Sequence, residues 1–204
     1  LRPREEKFTF SAVFVLNEKM VIEEEWFGKT LIYSDHRFSY EEVQSILDSE
    51  DKKVTADVSL SGQSYSVSEK IYSALLKLNS YAKFLREKRM KKGALSFDRV
   101  EVKFDLDKQD NPNSIYFKTS KDANKLVEEL MLLANRRVAE FIGKLKQKKP
   151  FVYRVHDLPD EDKLTNLQNV AKSLGYILDL NSNKINNSLN TLMKKFSLLE
   201  KLGS

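Results

Sequence analysis

Residues 122–142, DANKLVEELMLLANRRVAEFI, are the stretch that decides the fold. At about 100° per residue, the apolar side chains fall on one stripe of an amphipathic helix, which must pack against other elements. The same period places Glu129 on the far side near Lys125 and Arg136, where ion pairing at the surface is the ordinary arrangement. The stripe comprises Ala123, Leu126, Val127, Leu130, Ala134, Val138 and Phe141.

A second feature of this helix is a polar edge beside the apolar stripe. Asn124, Glu128, Met131 and Asn135 follow the spacing i, i+4, i+7, i+11 and share that edge. Such groups commonly serve as structural hydrogen-bond partners of neighbouring loops. The alternative interpretation is an edge that faces a ligand, and the period alone leaves it open.

Outward from this helix, two segments predict antiparallel hairpins. Residues 8–16 alternate apolar and polar side chains, and the NEK turn at 17–19 leads into a second extended segment, 20–33. Residues 100–106 alternate in the same way before the turn KQDNPN, and 114–118 resume as a strand.

The remaining segments predict four further helices. Ser39 and Glu42 form a capping-box pattern, S-x-x-E, before a short helix. A longer helix starts near Val67 and stops at Gly93. Asp160 or Thr165 begins the next one, which ends at Gly175, and a last helix carries Ile185, Leu189, Leu192, Met193 and Phe196.

Two stretches between these elements have their own signals. Residues 48–66 are polar and rich in turn formers, which predicts a loop, and residues 151–157, FVYRVHD, predict a short strand. Helices and hairpins are mixed without a repeating βαβ unit. The fold class is therefore α+β, with mainly antiparallel hairpins packed against amphipathic helices.

Composition bounds the class of protein. The 204 residues include 41% hydrophobic side chains, enough for a core, and no apolar run that approaches a membrane span. There is no cysteine, so no disulfide-linked partner is possible, and we expect a cytoplasmic protein. The 35 basic and 30 acidic residues give a net charge of +5, which modestly favours a polyanionic partner.

Aromatic and basic residues interleave in two places. HRFSY at 36–40 contains Arg37 and Tyr40, and KRMKKGALSF ends at Phe97. Aromatic rings stack on bases while Arg and Lys neutralise phosphates, which is a sequence-tolerant way to hold a single strand. The competing interpretation is structural, because Phe is usually a core residue and a lysine string is usually a solvated helix end.

Other chemistries find little support in the sequence. A metal-free ribonuclease would need His156 as general base and His36 as its acid partner. His156 and Asp157 are adjacent on a predicted strand and face opposite ways, so Asp157 is poorly placed to orient His156. The acids of residues 157–162 are expected as helix caps. The DLDKQDN segment lacks the glycine and distal glutamate of an EF-hand loop. We therefore assign no metal ligand in this chain.

Five segments, in order and spacing, resemble the catalytic RNB domain of the ribonuclease II and ribonuclease R family, and more closely the ribonuclease R branch. The strongest matches are HR-x-x-Y-x-x-V, KLVEE-x-M-x-L-AN and YRVHD-x-P, and the resemblance covers essentially the whole chain. The five segments are LRPREEKFTFSAVF, YSDHRFSYEEVQSIL, KKGALSFDRVEVKF, DANKLVEELMLLANRRVAEFI and PFVYRVHDLPDEDKL.

The resemblance implies a processive 3′ to 5′ exoribonuclease that hydrolyses single-stranded RNA to nucleoside 5′-monophosphates, assisted by Mg²⁺. Phe97 matches the aromatic residue that stacks on the terminal bases, Tyr40 matches a channel tyrosine near the RNA 3′ end, and Glu128 matches an active-site glutamate. Arg37 belongs to the same RNA-binding set. We expect Tyr40, Phe97 and Glu128 to converge on a common cavity, and Glu129 to remain an exterior charge.

The family's metal-binding aspartate cluster and its T-S-P-I-R-R segment have no counterpart in residues 1–204. We therefore expect one partial RNB-like catalytic domain, an internal fragment that binds no Mg²⁺ tightly and does not hydrolyse RNA alone. One alternative is a non-catalytic RNA-binding or scaffold protein with a nuclease-like fold. Another is a structural domain without a ligand. RNA preference and oligomeric state are left open.

Overall fold

The structure, a computed structural model, describes residues 2–95, 100–107, 109–181 and 185–202. Helices and short antiparallel strand pairs alternate along the chain, so the predicted α+β class is confirmed. The elements in chain order are β1 (Glu6–Leu16), β2 (Ile22–Tyr33), α1 (Tyr40–Ser49), β3 (Lys53–Val54), β4 (Tyr65–Ser66), α2 (Glu69–Lys91), β5 (Val100–Leu106), β6 (Pro112–Thr119), α3 (Asp122–Lys144), α4 (Glu161–Ser173) and α5 (Ile185–Leu202).

The chain divides into two compact units. The first comprises Leu1–Arg86 and Asp98–Phe151, and the second comprises Glu87–Phe97 and Val152–Ser204. All the strands and the helices α1 and α3 belong to the first unit, while α4 and α5 belong to the second. The expectation of a single partial domain over residues 1–204 stays a prediction.

Strands β1 and β2 form the first predicted hairpin. Its turn is held by the Asn17 side chain, whose Oδ1 accepts hydrogen bonds from the backbone N–H groups of Lys19 and Val21, each at 3.0 Å. Asparagine is suited to this position because its short side chain hydrogen-bonds to the backbone a few residues on. On one face of the hairpin the ring of Phe27 packs against Phe141 of α3, with centroids 4.9 Å apart.

Strands β5 and β6 form the second predicted hairpin. Asp107 accepts hydrogen bonds from the backbone N–H groups of Gln109 and Asn111 at 2.8 and 2.9 Å, which closes the turn. The register pairs Phe104 with Ile115, so alternation separates an apolar face from a polar one. Lys118 lies on the polar face.

Helix α1 begins where the capping box predicted it. The Ser39 hydroxyl accepts a hydrogen bond from the Glu42 backbone N–H at 3.1 Å, and the Glu42 carboxylate accepts one from the Ser39 N–H at 2.7 Å. Helix α2 likewise ends before Gly93, whose φ of +89° is the left-handed conformation expected of a glycine after a helix.

Residues 48–66 do not form a simple loop, which corrects the prediction from composition. Strands β3 and β4 pair within this stretch, and Val54 is fully buried against Ile46 and Val67. Partly buried apolar side chains of the stretch and its neighbours complete this core, including Val58 and Tyr65. A few buried apolar residues therefore outweigh the many polar ones around them.

The second unit has a core of its own, formed by Ala171, Leu178 and Leu192. Asp160 is the N-cap of α4, and its carboxylate accepts a hydrogen bond from the Lys163 backbone N–H at 3.1 Å. The strand predicted at 151–157 is wrong, because these residues pair with no strand in the part of the chain that the structure describes. A short run of apolar residues does not make a strand when no neighbour supplies the hydrogen bonds.

Helix α3 spans the predicted amphipathic stretch, but its buried arc is rotated relative to the prediction. Ala123 and Leu126 are buried as expected, whereas Val127 is 45% exposed. Glu129 is only 3% exposed, which corrects the expectation that it is an exterior charge. The period fixes which residues share a face, but the packing of neighbouring elements selects the arc that is buried.

Candidate nucleic-acid interface

A cleft of about 850 Å³ in the first unit joins α1, β6 and the start of α3. Its walls combine two tyrosines and a phenylalanine with lysines, acids and amides. The lining residues are Tyr40, Glu41, Gln44, Ser45, Asp48, Ser49, Val58, Tyr116, Phe117, Lys118, Thr119, Lys121 and Asn124. Aromatic rings beside basic groups are the combination that suits a nucleic-acid strand.

Tyr40 is the first residue of α1, and its side chain is 44% exposed in the cleft. The backbone at this point is fixed by Glu42, two residues further along, which is 2% exposed. The Glu42 carboxylate accepts hydrogen bonds from the backbone N–H of Leu60 and from the hydroxyl of Tyr65, each at 3.0 Å, in addition to the capping bond from Ser39.

These bonds also set the ionisation of the two side chains. Burial acts to raise the pKa of Glu42, but hydrogen bonds from Ser39, Leu60 and Tyr65 outweigh it, and the pKa lies below its ordinary value. Burial, followed by donation to the Glu42 carboxylate, raises the pKa of Tyr65 to about 12. Glu42 is therefore a permanently charged anchor beneath the N-terminus of α1 at neutral pH.

The segment before α1 is attached to the same anchor. His36 Nε2 lies 3.3 Å from the Tyr65 hydroxyl, and the His36 ring packs on Phe38 with centroids 4.1 Å apart. Arg37 lies between His36 and Phe38 in the sequence and is exposed. It is not among the residues that line the cleft.

The opposite wall of the cleft is tied to α1 by an ion pair. Lys118 Nζ of β6 lies 2.8 Å from Glu41 Oε1. The hydrogen bond to Lys118 lowers the pKa of Glu41, and the same bond raises the pKa of Lys118. Both side chains are partly open to solvent, so the pair is a weak one.

Helix α3 is fixed to α1 at its first turn. The backbone N–H of Ala123 donates to Gln44 Oε1 at 3.0 Å, and the N–H of Lys121 donates to Asn124 Oδ1 at 3.2 Å. These bonds bring Asn124 into the cleft wall. Glu128 lies one turn further along the same edge of α3, is half-buried, and is not a lining residue.

The structure thus brings Tyr40 and Asn124 together, and it leaves Arg37 and Glu128 outside the lining of the cleft. Phe97 lies outside the described residues. The predicted convergence of Tyr40, Phe97 and Glu128 therefore stays a prediction, as do the roles of these residues.

Most of the cleft lining was not predicted from the sequence, including Tyr116, Lys118 and Lys121. The alternation of β6 was a usable signal, because it places Tyr116 and Lys118 on the polar face of the hairpin. Nothing in the sequence indicated that this face would meet α1.

No three acidic or histidine side chains of the described residues come together in a way that could hold a metal ion. The described residues therefore do not fit a Mg²⁺ centre. In the same part of the chain, none of the helices combines the length and the apolar character needed to cross a membrane.

The chain is similar to curated exonucleases. It is 33% identical over 193 residues to DIS3-like exonuclease 2 of Xenopus tropicalis, covering 93% of this chain and 23% of the relative. It is 32% identical over 150 residues to ribonuclease R of Buchnera aphidicola, covering 74% of this chain and 19% of the relative. A third relative is the inactive exonuclease DIS3L2 of Arabidopsis thaliana. It is 29% identical over 187 residues, which cover 89% of this chain and 17% of the relative.

A solved structure shares the fold. Mycoplasma genitalium RNase R in complex with ribose-methylated single-stranded RNA superposes with a TM-score of 0.77 at 22% identity, over 93% of this chain and 28% of that one. This chain therefore spans about a quarter of its relatives' length. The family model for the RNB domain matches residues 1–202, which is nearly the whole sequence. The chain belongs to the RNB domain family.

Proposed function

We propose that this chain forms part of the RNA channel of a processive 3′ to 5′ exoribonuclease, which hydrolyses single-stranded RNA to nucleoside 5′-monophosphates. Family membership supports the reaction class, since the relatives at 33% and 32% identity are exonucleases or ribonucleases. The RNA complex of Mycoplasma genitalium RNase R supports single-stranded RNA as the ligand.

The observation that carries the proposal is the meeting of Tyr40 and Asn124 in one cleft. Tyr40 comes from the HR-x-x-Y-x-x-V segment, and Asn124 begins the polar edge of α3 that also holds Glu128. A tyrosine supplies a stacking surface for a base, and the amide supplies a donor and an acceptor for a base or ribose. Phe97 and Arg37 complete the proposed RNA-binding set.

Within this proposal Glu128 acts next to the 3′-terminal nucleotide, and the described residues bring together no carboxylate group that would hold Mg²⁺. The isolated chain then binds RNA without hydrolysing it. Incubation of the chain with end-labelled single-stranded RNA and Mg²⁺ tests this. We expect a retarded complex and intact RNA, and processive release of mononucleotides would contradict the proposal.

The contribution of the cleft is tested by Tyr40→Ala. Loss of one stacked base lowers RNA affinity by about 1–3 kcal/mol, which is roughly 5- to 150-fold. Tyr33→Ala, at an exposed tyrosine outside the cleft lining, is the matched control and should bind like wild type. Equal affinities for both variants and wild type would remove Tyr40 from the RNA-binding set.

A second candidate is a non-catalytic RNA-binding or scaffold protein. It is favoured by the similarity to the inactive exonuclease of Arabidopsis thaliana. The two candidates differ in the longer protein that contains this chain. Hydrolysis that is lost in Glu128→Ala supports the enzyme, whereas RNA binding with no hydrolysis in the wild-type protein supports the scaffold.

A further inference from the structure

The pair formed by Glu41 and Lys118 lines the cleft that we assign to RNA. Lys118 Nζ lies 2.8 Å from Glu41 Oε1, and the two side chains are 40% and 56% exposed respectively. Both residues line the cleft together with Tyr40 and Tyr116. An ammonium group in a cleft that two tyrosines also line can meet the phosphate of a strand whose bases stack on the rings.

The cleft has other features that favour a phosphate. Part of its lining lies at the N-terminal ends of two helices, since Tyr40 and Glu41 begin α1 and Lys121 directly precedes α3, whereas Asp48 and Ser49 of the lining lie at the C-terminal end of α1. Helix N-termini carry a partial positive charge, which attracts anions. The cleft volume of about 850 Å³ is also within the range of ligand sites, roughly 300–1,000 Å³.

Acidic side chains oppose this attraction. Glu41 and Asp48 line the cleft with Lys118 and Lys121, so these described lining residues are balanced in charge. A nucleic-acid phosphate must therefore compete with Glu41 for the ammonium of Lys118. The competition is feasible because a solvent-exposed ion pair holds its partners weakly. Glu41 also loses little on release, since a carboxylate in the first turn of a helix remains stabilised by the helix dipole.

We propose that Lys118 binds a backbone phosphate of a single strand lying in this cleft, and that Glu41 competes with the phosphate for the same ammonium. The inference rests on the proposed RNA-binding function and deepens it. Glu41 thereby limits the affinity of the cleft, a property expected of a channel through which a strand must move rather than bind permanently.

The test measures the affinity of the full chain for a fluorescently labelled oligoadenylate at several salt concentrations. Glu41→Gln frees Lys118, so we expect binding to tighten by about threefold or more. Lys118→Gln removes the phosphate contact and should weaken binding, with the slope of log K against log salt falling by about 0.7. In the double variant, Glu41→Gln should no longer tighten binding through Lys118.

Glu24→Gln is the matched control. Glu24 is an exposed glutamate of β2 outside the cleft lining, and its replacement changes the net charge by the same amount as Glu41→Gln. The difference in RNA affinity between Glu41→Gln and Glu24→Gln therefore measures the effect of releasing Lys118, separate from the change in net charge. Circular dichroism of each variant verifies that α1 and the hairpins are retained.

The outcomes separate this inference from the function on which it rests. If the wild-type chain binds the oligonucleotide and Glu41→Gln binds no more tightly than Glu24→Gln, the competition is refuted while RNA binding stands. The competition is also refuted, while RNA binding stands, if Glu41→Gln tightens binding equally in the presence of Lys118 and in the Lys118→Gln background. If the wild-type chain shows no affinity even at low salt, both the proposed function and this inference fail.

Discussion

The hydroxyl of Tyr65 donates a hydrogen bond to the buried carboxylate of Glu42 at 3.0 Å. This bond joins β4 to the first turn of α1, although the two residues are 23 positions apart. The same carboxylate accepts from the backbone N–H groups of Ser39 and Leu60. Glu42 thus joins three parts of the first unit: the N-cap of α1, the segment between β3 and β4, and Tyr65 of β4. Tyr40, in the same first turn of α1, lines the cleft.

Replacement of Glu42 tests this arrangement. Glu42→Ala leaves buried N–H and O–H donors without an acceptor, so we expect the free energy of unfolding to fall by about 2–4 kcal/mol. Urea denaturation monitored by circular dichroism measures the change. Glu24→Gln, at an exposed position, should alter the stability by less than about 0.5 kcal/mol. A similar small effect for Glu42→Ala would show that the carboxylate does not organise the region.

The pH dependence of stability follows from the lowered pKa of Glu42. A carboxylate whose pKa is lower in the folded than in the unfolded state stabilises the fold fully above its ordinary value, about 4.3. That contribution is lost as the pH falls through the folded-state pKa. We expect the unfolding free energy of the wild type to decline more steeply below about pH 5 than that of Glu42→Gln. Urea titrations at a series of pH values measure the difference, and parallel curves would contradict it.

The two adjacent glutamates of α3 should behave differently. Glu129 is 3% exposed and engaged by other groups, so Glu129→Ala should destabilise the chain by about 1–3 kcal/mol. Glu128 is half-buried, and Glu128→Ala should cost less stability. In the longer protein, Glu128→Ala should reduce turnover more than RNA affinity. Greater loss of stability for Glu128→Ala than for Glu129→Ala would mean that α3 buries the other face.

The indole of Trp26 offers a direct optical test of the first hairpin. A Cβ atom added at Gly28 would lie 2.5 Å from the Cζ2 and Cη2 atoms of Trp26, so the ring lies over the glycine. Trp26 is 50% exposed and is the single tryptophan of the sequence. Gly28→Ala should displace the ring towards solvent and shift its fluorescence emission to longer wavelength. Lys29→Ala, at the next residue of β2, should leave the emission unchanged.

Much of the local structure could be predicted because its causes lie within a few residues. The capping box of Ser39 and Glu42, the Asn17 turn and the glycine after α2 each involve hydrogen bonds or backbone angles that neighbouring residues determine. The order of the five family segments likewise indicated the RNB domain, which the family match confirmed. The failures, at 48–66 and 151–157, are stretches whose state depends on distant partners.

The sequence by itself determined the hairpins, the amphipathic helices, their caps and the family, because periodicity and local hydrogen bonding depend on residues that are close together in the sequence. Only the tertiary structure decided which arc of α3 is buried and that Glu129 lies within it. It also brought Lys118 against Glu41, 77 positions away, and so completed a cleft around Tyr40. Burial and long-range ion pairs depend on how separate elements pack, and no local pattern specifies that packing.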